Sequence, residues 1–161
     1  MRYIVLIITM LGLASPAAAY EQPRALLEAI YAGYEAGKRP SHGAEFLSER
    51  LRGLYRLSDE RQAALLTGEV ANATSRDLAG FDPFIEGENA LLLDLTIGEP
   101  VVRNDRALAT VSFHNFDHTS LLSISMVREP DGWKVDDIAS LGSEENWLLS
   151  WLLQYDPFGI N

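Results

Sequence analysis

The residues of this chain whose spacing most suggests chemistry are His114 and His118, set as His-Asn-Phe-Asp-His. A His-x3-His spacing suits a metal on a helix, where residues four apart share a face. Here the flanking sequence reads as a strand entering a turn, and four extended residues span about 13 Å. The two imidazoles converge only if a hairpin folds back between them, with Asp117 as the third ligand such a site needs. No metal and no cofactor is therefore expected. Asp131, Asp136 and Asp137 lack the oxygen-ligand spacing of a calcium loop and read as turn and strand-end residues in water. The chain contains no cysteine, which removes disulfides, thiolate nucleophiles and thiolate metal sites together. It also has neither a Gly-x-Ser-x-Gly elbow nor a glycine-rich phosphate loop.

Residues 1–19 read as an address rather than as part of a fold. Arg2 gives a positive start, Tyr3 to Leu13 is almost continuously apolar, and Ala17-Ala18-Ala19 ends in the small-x-small pattern accepted by signal peptidase. The apolar run is well short of the roughly 20 residues that span a bilayer. The expectation is cleavage after Ala19, release into the periplasm or medium, and a single domain over residues 20–161. The chain carries 13 Lys and Arg against 23 Asp and Glu, a net charge of −10. Loss of Arg2 would take that to about −11, a surface that repels phosphate backbones and anionic lipid alike. Nucleic acid is excluded as a partner, and so is the membrane once the leader is gone.

The elements that must position any site fall into two halves. Pro23 suits a first helical turn, and Leu26, Leu27, Ile30, Tyr31 and Tyr34 then form one stripe, with Gly37 and Pro40 ending the helix. A second helix is predicted over about 44–55 with Phe46, Leu47, Leu51, Leu54 and Tyr55 inward. A third starts at the cap Ser58 and buries Leu65, Leu66 and Val70. Residues 72–89 break the pattern with Asp77, Gly80, Asp82, Pro83 and Gly87, and carry Phe81 and Phe84 as the residues that pack this long connection down.

From Leu91 the period becomes two. Leu91, Leu93, Leu95 and Ile97 share a face opposite Asp94 and Thr96. Ala107, Ala109, Val111 and Phe113 then alternate with Leu108, Thr110, Ser112 and His114. Leu122, Ile124 and Met126 follow, and after the turn Glu129-Pro130-Asp131-Gly132 come Trp133 and Val135 against Lys134 and Asp136. This is a meander of about four antiparallel strands with one apolar face. Ser143 caps a last helix, placing Trp147, Leu148, Trp151, Leu152 and Tyr155 on one stripe until Asp156-Pro157 stops it. The fold class is α+β, with N-terminal helices covering the apolar face of an antiparallel sheet and a helix at the C-terminus.

Phe81-Asp82-Pro83-Phe84, set between an N-terminal helical segment and a meander ending in Asp131-Gly132-Trp133-Lys134-Val135-Asp136-Asp137-Ile138, resembles the exported bacterial domain-of-unknown-function family 3828. That family is similar to the nuclear transport factor two-like cone folds, which implies a strongly curved sheet wrapped around a helical layer and a pocket. The resemblance covers most of residues 23–153 and implies no single activity, because cone folds include enzymes, binding modules and interaction domains. Cone-fold enzymes use an Asp or His projecting into the pocket, and Asp94 and His114 are the candidates on the polar faces of their strands. A carboxylate beside an imidazole can abstract a proton if burial tunes both groups. Alternation alone assigns both to the solvent face.

The leading expectation is therefore a non-enzymatic binding module. Tyr31, Tyr34, Phe81 and Phe84 would line or plug its concavity, for a small apolar ligand or a protein partner. Trp147, Trp151 and Tyr155 serve either as core, with Trp151→Ala then costing about 3–5 kcal/mol, or as a partner interface, a homodimer included. The alternatives are an isomerase- or hydrolase-like enzyme using Asp94 and His114, and an acidic inhibitor or immunity protein.

Overall fold

A computed structural model describes residues 20–35, 45–66, 81–87, 91–142 and 146–155. Residues 1–19, expected to be a leader, and Gly37, Pro40, Val70, Asp77, Gly80, the expected cap Ser143 and Asp156-Pro157 lie outside the described residues, as do the side chains of Leu65 and Leu66. The fold is α+β: helices α1 (Pro23–Glu35) and α2 (Glu49–Leu66), a five-stranded antiparallel sheet, and a short helix α3 (Leu149–Gln154). The strands are β1 (Leu92–Ile97), β2 (Val101–Arg103), β3 (Arg106–Asn115), β4 (His118–Glu129) and β5 (Gly132–Ser140). Their order is β1-β3-β4-β5, with β2 beside β3 at the end that β1 leaves free. The sheet is open.

The α1 stripe is as expected: Leu26, Leu27, Ile30, Tyr31 and Tyr34 are all buried, against Ala107, Ala109, Val111 and Phe113 of β3 and Leu122, Ile124 and Met126 of β4 in one core. Two hairpins have two-residue loops with a left-handed first residue. These are Asn104-Asp105, at φ 54°, between β2 and β3, and Phe116-Asp117, at φ 57°, between β3 and β4. Such loops match the twist of the strands they join, and Asn tolerates the conformation far better than Phe.

The predicted second and third helices are one. Arg56-Leu57-Ser58 holds no glycine or proline to break the run, so Ser58 sits in the helix interior and caps nothing. The N-cap position falls instead to Ser48, whose Oγ accepts the Leu51 N–H at 3.0 Å. Residues 46–48 are extended because they pair with β5: the Val135 N–H donates to the Phe46 carbonyl at 2.7 Å, and the Ser48 N–H to the Val135 carbonyl at 2.8 Å.

The expected four-strand meander gains β2, a three-residue strand too short and exposed to leave an alternating signature. β1 also departs from simple alternation. Its pairing runs Leu93↔His114 and then Thr96↔Ser112, one residue too many on β1, and Asp94 takes up the excess with φ 54°. Past this bulge the faces exchange. Leu91 and Leu93 are therefore exposed, while Leu92, Leu95 and Ile97 pack on the core.

The two long edges of the sheet differ. β5 is covered along its length, since the Trp133 N–H donates to Tyr20, residues 46–48 pair at Val135, and the Ser140 N–H donates to Trp147. On the opposite side, no described residue pairs with β2 beyond β3.

Candidate functional site

Asp94 and His114 do come together, at 3.6 Å between Oδ2 and Nδ1, just outside hydrogen-bonding distance. The Asp94 bulge turns its carboxylate toward His114 on the sheet face away from the helices. The Asp94 side chain is 86% exposed and that of His114 45%. The pair lies at the protein surface, where charge interactions are screened. His114 Nδ1 is shielded from solvent and makes no hydrogen bond.

The hairpin does fold back between His114 and His118. Its register pairs His114 with Thr119 and His118 with Asn115, so the two imidazoles stand in adjacent rows and point to opposite faces. Among the described residues no three His, Asp or Glu side chains gather as a metal site.

Three of the four expected pocket residues belong to the sealed core. Tyr31, Tyr34 and Phe84 are buried. Tyr31 Oη donates to the Phe84 carbonyl at 3.0 Å and Tyr34 Oη to Asp82 Oδ2 at 2.7 Å. Asp82, fully buried, accepts the Phe84 N–H on its other oxygen at 3.0 Å, and Asn115 Nδ2 holds the Ile85 carbonyl at 3.0 Å. In the Phe81-Asp82-Pro83-Phe84 segment the last three residues are buried, and the tyrosines of α1 hydrogen-bond to the Asp82 carboxylate and the Phe84 carbonyl. Burial, then the charges of Asp82 and Glu86, hold the Tyr31 hydroxyl well above the ordinary phenol range. Phe81 is half-buried and meets Trp147 edge-on at 5.5 Å.

Composition and spacing did not reveal the buried charge on β5. Asp136, read as a solvated strand-end residue, is instead an ion-pair hub. It accepts Ser48 Oγ at 2.7 Å, Arg50 Nε at 3.0 Å and a guanidinium nitrogen of Arg106 at 3.3 Å. A bulge places Asp136 there, since β5 passes from Val135↔Met126 to Asp137↔Ser125 with one residue to spare. Burial alone would raise its pKa; the Ser48 hydroxyl and the two arginines outweigh it and lower it. The neighbouring Asp137 accepts the Ile138 and Ser150 N–H groups at 2.9 and 3.0 Å and anchors the start of α3. Lys134 is buried too, with Nζ donating to the Glu45 carbonyl at 2.7 Å and to Asp131 at 3.0 Å.

The predicted C-terminal stripe has the wrong phase as core. Trp147 and Leu148 are extended, held to β5 by the Ser140 bond and the Ala139↔Leu148 bridge, and α3 begins only at Leu149. Leu149, Ser150 and Leu153 therefore face inward, at i, i+1 and i+4. Trp151 and Tyr155 are left outside, 58% and 54% exposed, with ring centroids 5.5 Å apart. Leu148 is exposed beside them. Of the three aromatics, Trp147 alone packs at the periphery of the core.

Compared with protein-family models, with curated proteins and with solved structures, the chain matches none.

Proposed function

We propose that this chain is an exported, non-enzymatic binding domain that docks a protein partner on the aromatic face of α3. The single observation that carries this reading is the Trp151–Tyr155 pair, two large rings in contact with each other and more than half exposed, one on α3 and one at its C-cap, where the inner face of the helix is already filled. Trp and Tyr dominate interface hot spots because each buries a large area at low entropic cost. With a net charge of −10, the complementary partner is a basic protein surface, whose arginines can also stack on these rings. The leader-like residues 1–19 support a periplasmic or secreted site of action. Proton-transfer chemistry at Asp94 and His114 is the weaker reading, because the Asp94 carboxylate is largely exposed and stands 3.6 Å from Nδ1, beyond hydrogen-bonding distance.

Native mass spectrometry of the protein purified after export tests the proposal. A second polypeptide held by the wild type, released by salt and lost on Trp151→Ala while the melting temperature holds, supports it. Retention of the same chain by Trp151→Ala places the interface elsewhere and sinks it.

A further inference from the structure

The sheet face turned away from the helices is apolar and exposed, and we infer that it packs on the same face of a second copy of this chain, about a two-fold axis over Thr110. Strand pairing fixes which residues share that face. Leu93↔His114, Thr96↔Ser112 and Val101↔Leu108 lie on it, opposite the side of β3 that enters the core through Ala107, Ala109, Val111 and Phe113. Leu91, Leu93, Val101, Leu108 and Leu141 all stand exposed there, and so many large apolar side chains on one face mark an interaction surface. Between them β3 contributes Thr110 and Ser112, and β4 contributes Leu121, Ser123 and Ser125, none of them charged.

The placement of charge selects a second copy as the occupant. A net charge of −10 makes two copies repel across most of their surface, whereas the middle of this face carries no charge. At one end stands Asp94, whose one ionic contact among the described residues is the His114 ring at 3.6 Å. At the other, Arg103 lies directly across from Arg106, a like-charge pair, and meets no described carboxylate, while Arg106 has Asp136. The His114 and Arg106 rows lie about 27 Å apart along β3, with Thr110 midway. A two-fold axis across the strands at Thr110 stacks β3 on β3 head to tail and the β1–β2 side on itself. Asp94 of each copy then comes over the Arg103–Arg106 corner of the other, twice by symmetry, and Val101 and Leu108 come toward Leu91 and Leu93. Stacked sheets cross by about 30°, a rotation that the long side chains of two adjacent arginines absorb. An axis along the strands would instead set the row of Arg103, Arg106 and Lys134 on itself.

Sedimentation equilibrium of the purified protein tests this, with melting temperatures confirming that each variant folds. The expected result is a reversible dimer that is abolished by Leu108→Glu, a change at a side chain exposed in the single chain. The charge variants give the sharper readout. Asn tolerates the left-handed φ of 54° at position 94, and Asp94→Asn should weaken the wild-type dimer about threefold. Arg103→Glu turns two attractive pairs repulsive and should weaken it about tenfold. In the Arg103→Glu background Asp94→Asn should reverse its sign and strengthen the dimer, because it now removes a repulsion. A wild type that stays monomeric, a dimer indifferent to Leu108→Glu or lost on Trp151→Ala, or an Asp94→Asn effect of one sign in both backgrounds would each overturn the inference. None of the residues on this face belongs to α3, so the two surfaces fail separately.

Discussion

At the scale of single residues, the fold places its costliest groups where several partners meet them. Asp136 is the clearest case, a buried carboxylate serving the cap of α2, through Ser48, and two arginines from separate elements. Replacing it with Asn keeps the shape but removes the negative charge that both arginines face and one of the two acceptor oxygens. Arg50 and Arg106 are substantially exposed, so screening reduces the loss to about 2 kcal/mol, readable from urea midpoints. The pH dependence has a definite sign. Folding lowers the Asp136 pKa below its ordinary 3.8, so its contribution is complete above that value and is lost as pH falls through the folded-state value. The wild type should therefore lose stability on acidification more steeply than Asp136→Asn below about pH 4. Tyr31 has the opposite behaviour. Its raised pKa means stability is whole below its ordinary value of 10.0 and declines as pH rises beyond it. Tyr31→Phe should cost about 1 kcal/mol at neutral pH, from the lost bond to Phe84, and flatten the alkaline decline in a melting-temperature series.

At the scale of elements, the sequence was legible where one residue type had one environment, and misleading where a local irregularity changed the phase. The α1 stripe and the alternation of β3 and β4 are long and uninterrupted, and both faces fell as periodicity requires. Periodicity failed at the Asp94 bulge, at the Asp136 bulge and at the start of α3. In each place one inserted or extended residue rotates everything after it, and no residue type announces the shift. The joint between β1 and β2 is a further irregularity with a clear chemical cause. A Cβ on Gly98 would stand 2.7 Å from Thr110 Oγ1 and 3.1 Å from the Thr110 carbonyl, while its N–H donates to that same carbonyl at 2.8 Å. The hydroxyl can rotate aside but the backbone oxygen cannot. Gly98→Ala should thus lose about 1–3 kcal/mol in chemical denaturation, and Thr110→Ser in the same background should recover little of it.

At the scale of the whole molecule, the sheet has one sealed edge and one open edge, and α3 closes the sealed side without spending its aromatic rings. The candidate site was legible only as a set of residues. Trp151 and Tyr155 stood out by type, while their outward direction depended on where α3 begins, which is fixed by tertiary bonds to β5 and by Asp137 at Ser150. That dependence makes stability the sharpest discriminator between the two roles an aromatic can take. Leu153 is 1% exposed within the core, so Leu153→Ala should lower the unfolding free energy by about 2–5 kcal/mol. Trp151, two positions earlier and a far larger side chain, should change it by no more than about 0.5 kcal/mol when replaced by Ala. Side-chain volume alone would rank the two variants the other way. Equilibrium urea unfolding of both proteins therefore reads out which face of α3 the domain uses to fold. A Trp151→Ala loss equal to that of Leu153→Ala would return the rings to the core and remove the surface on which the partner is proposed to dock.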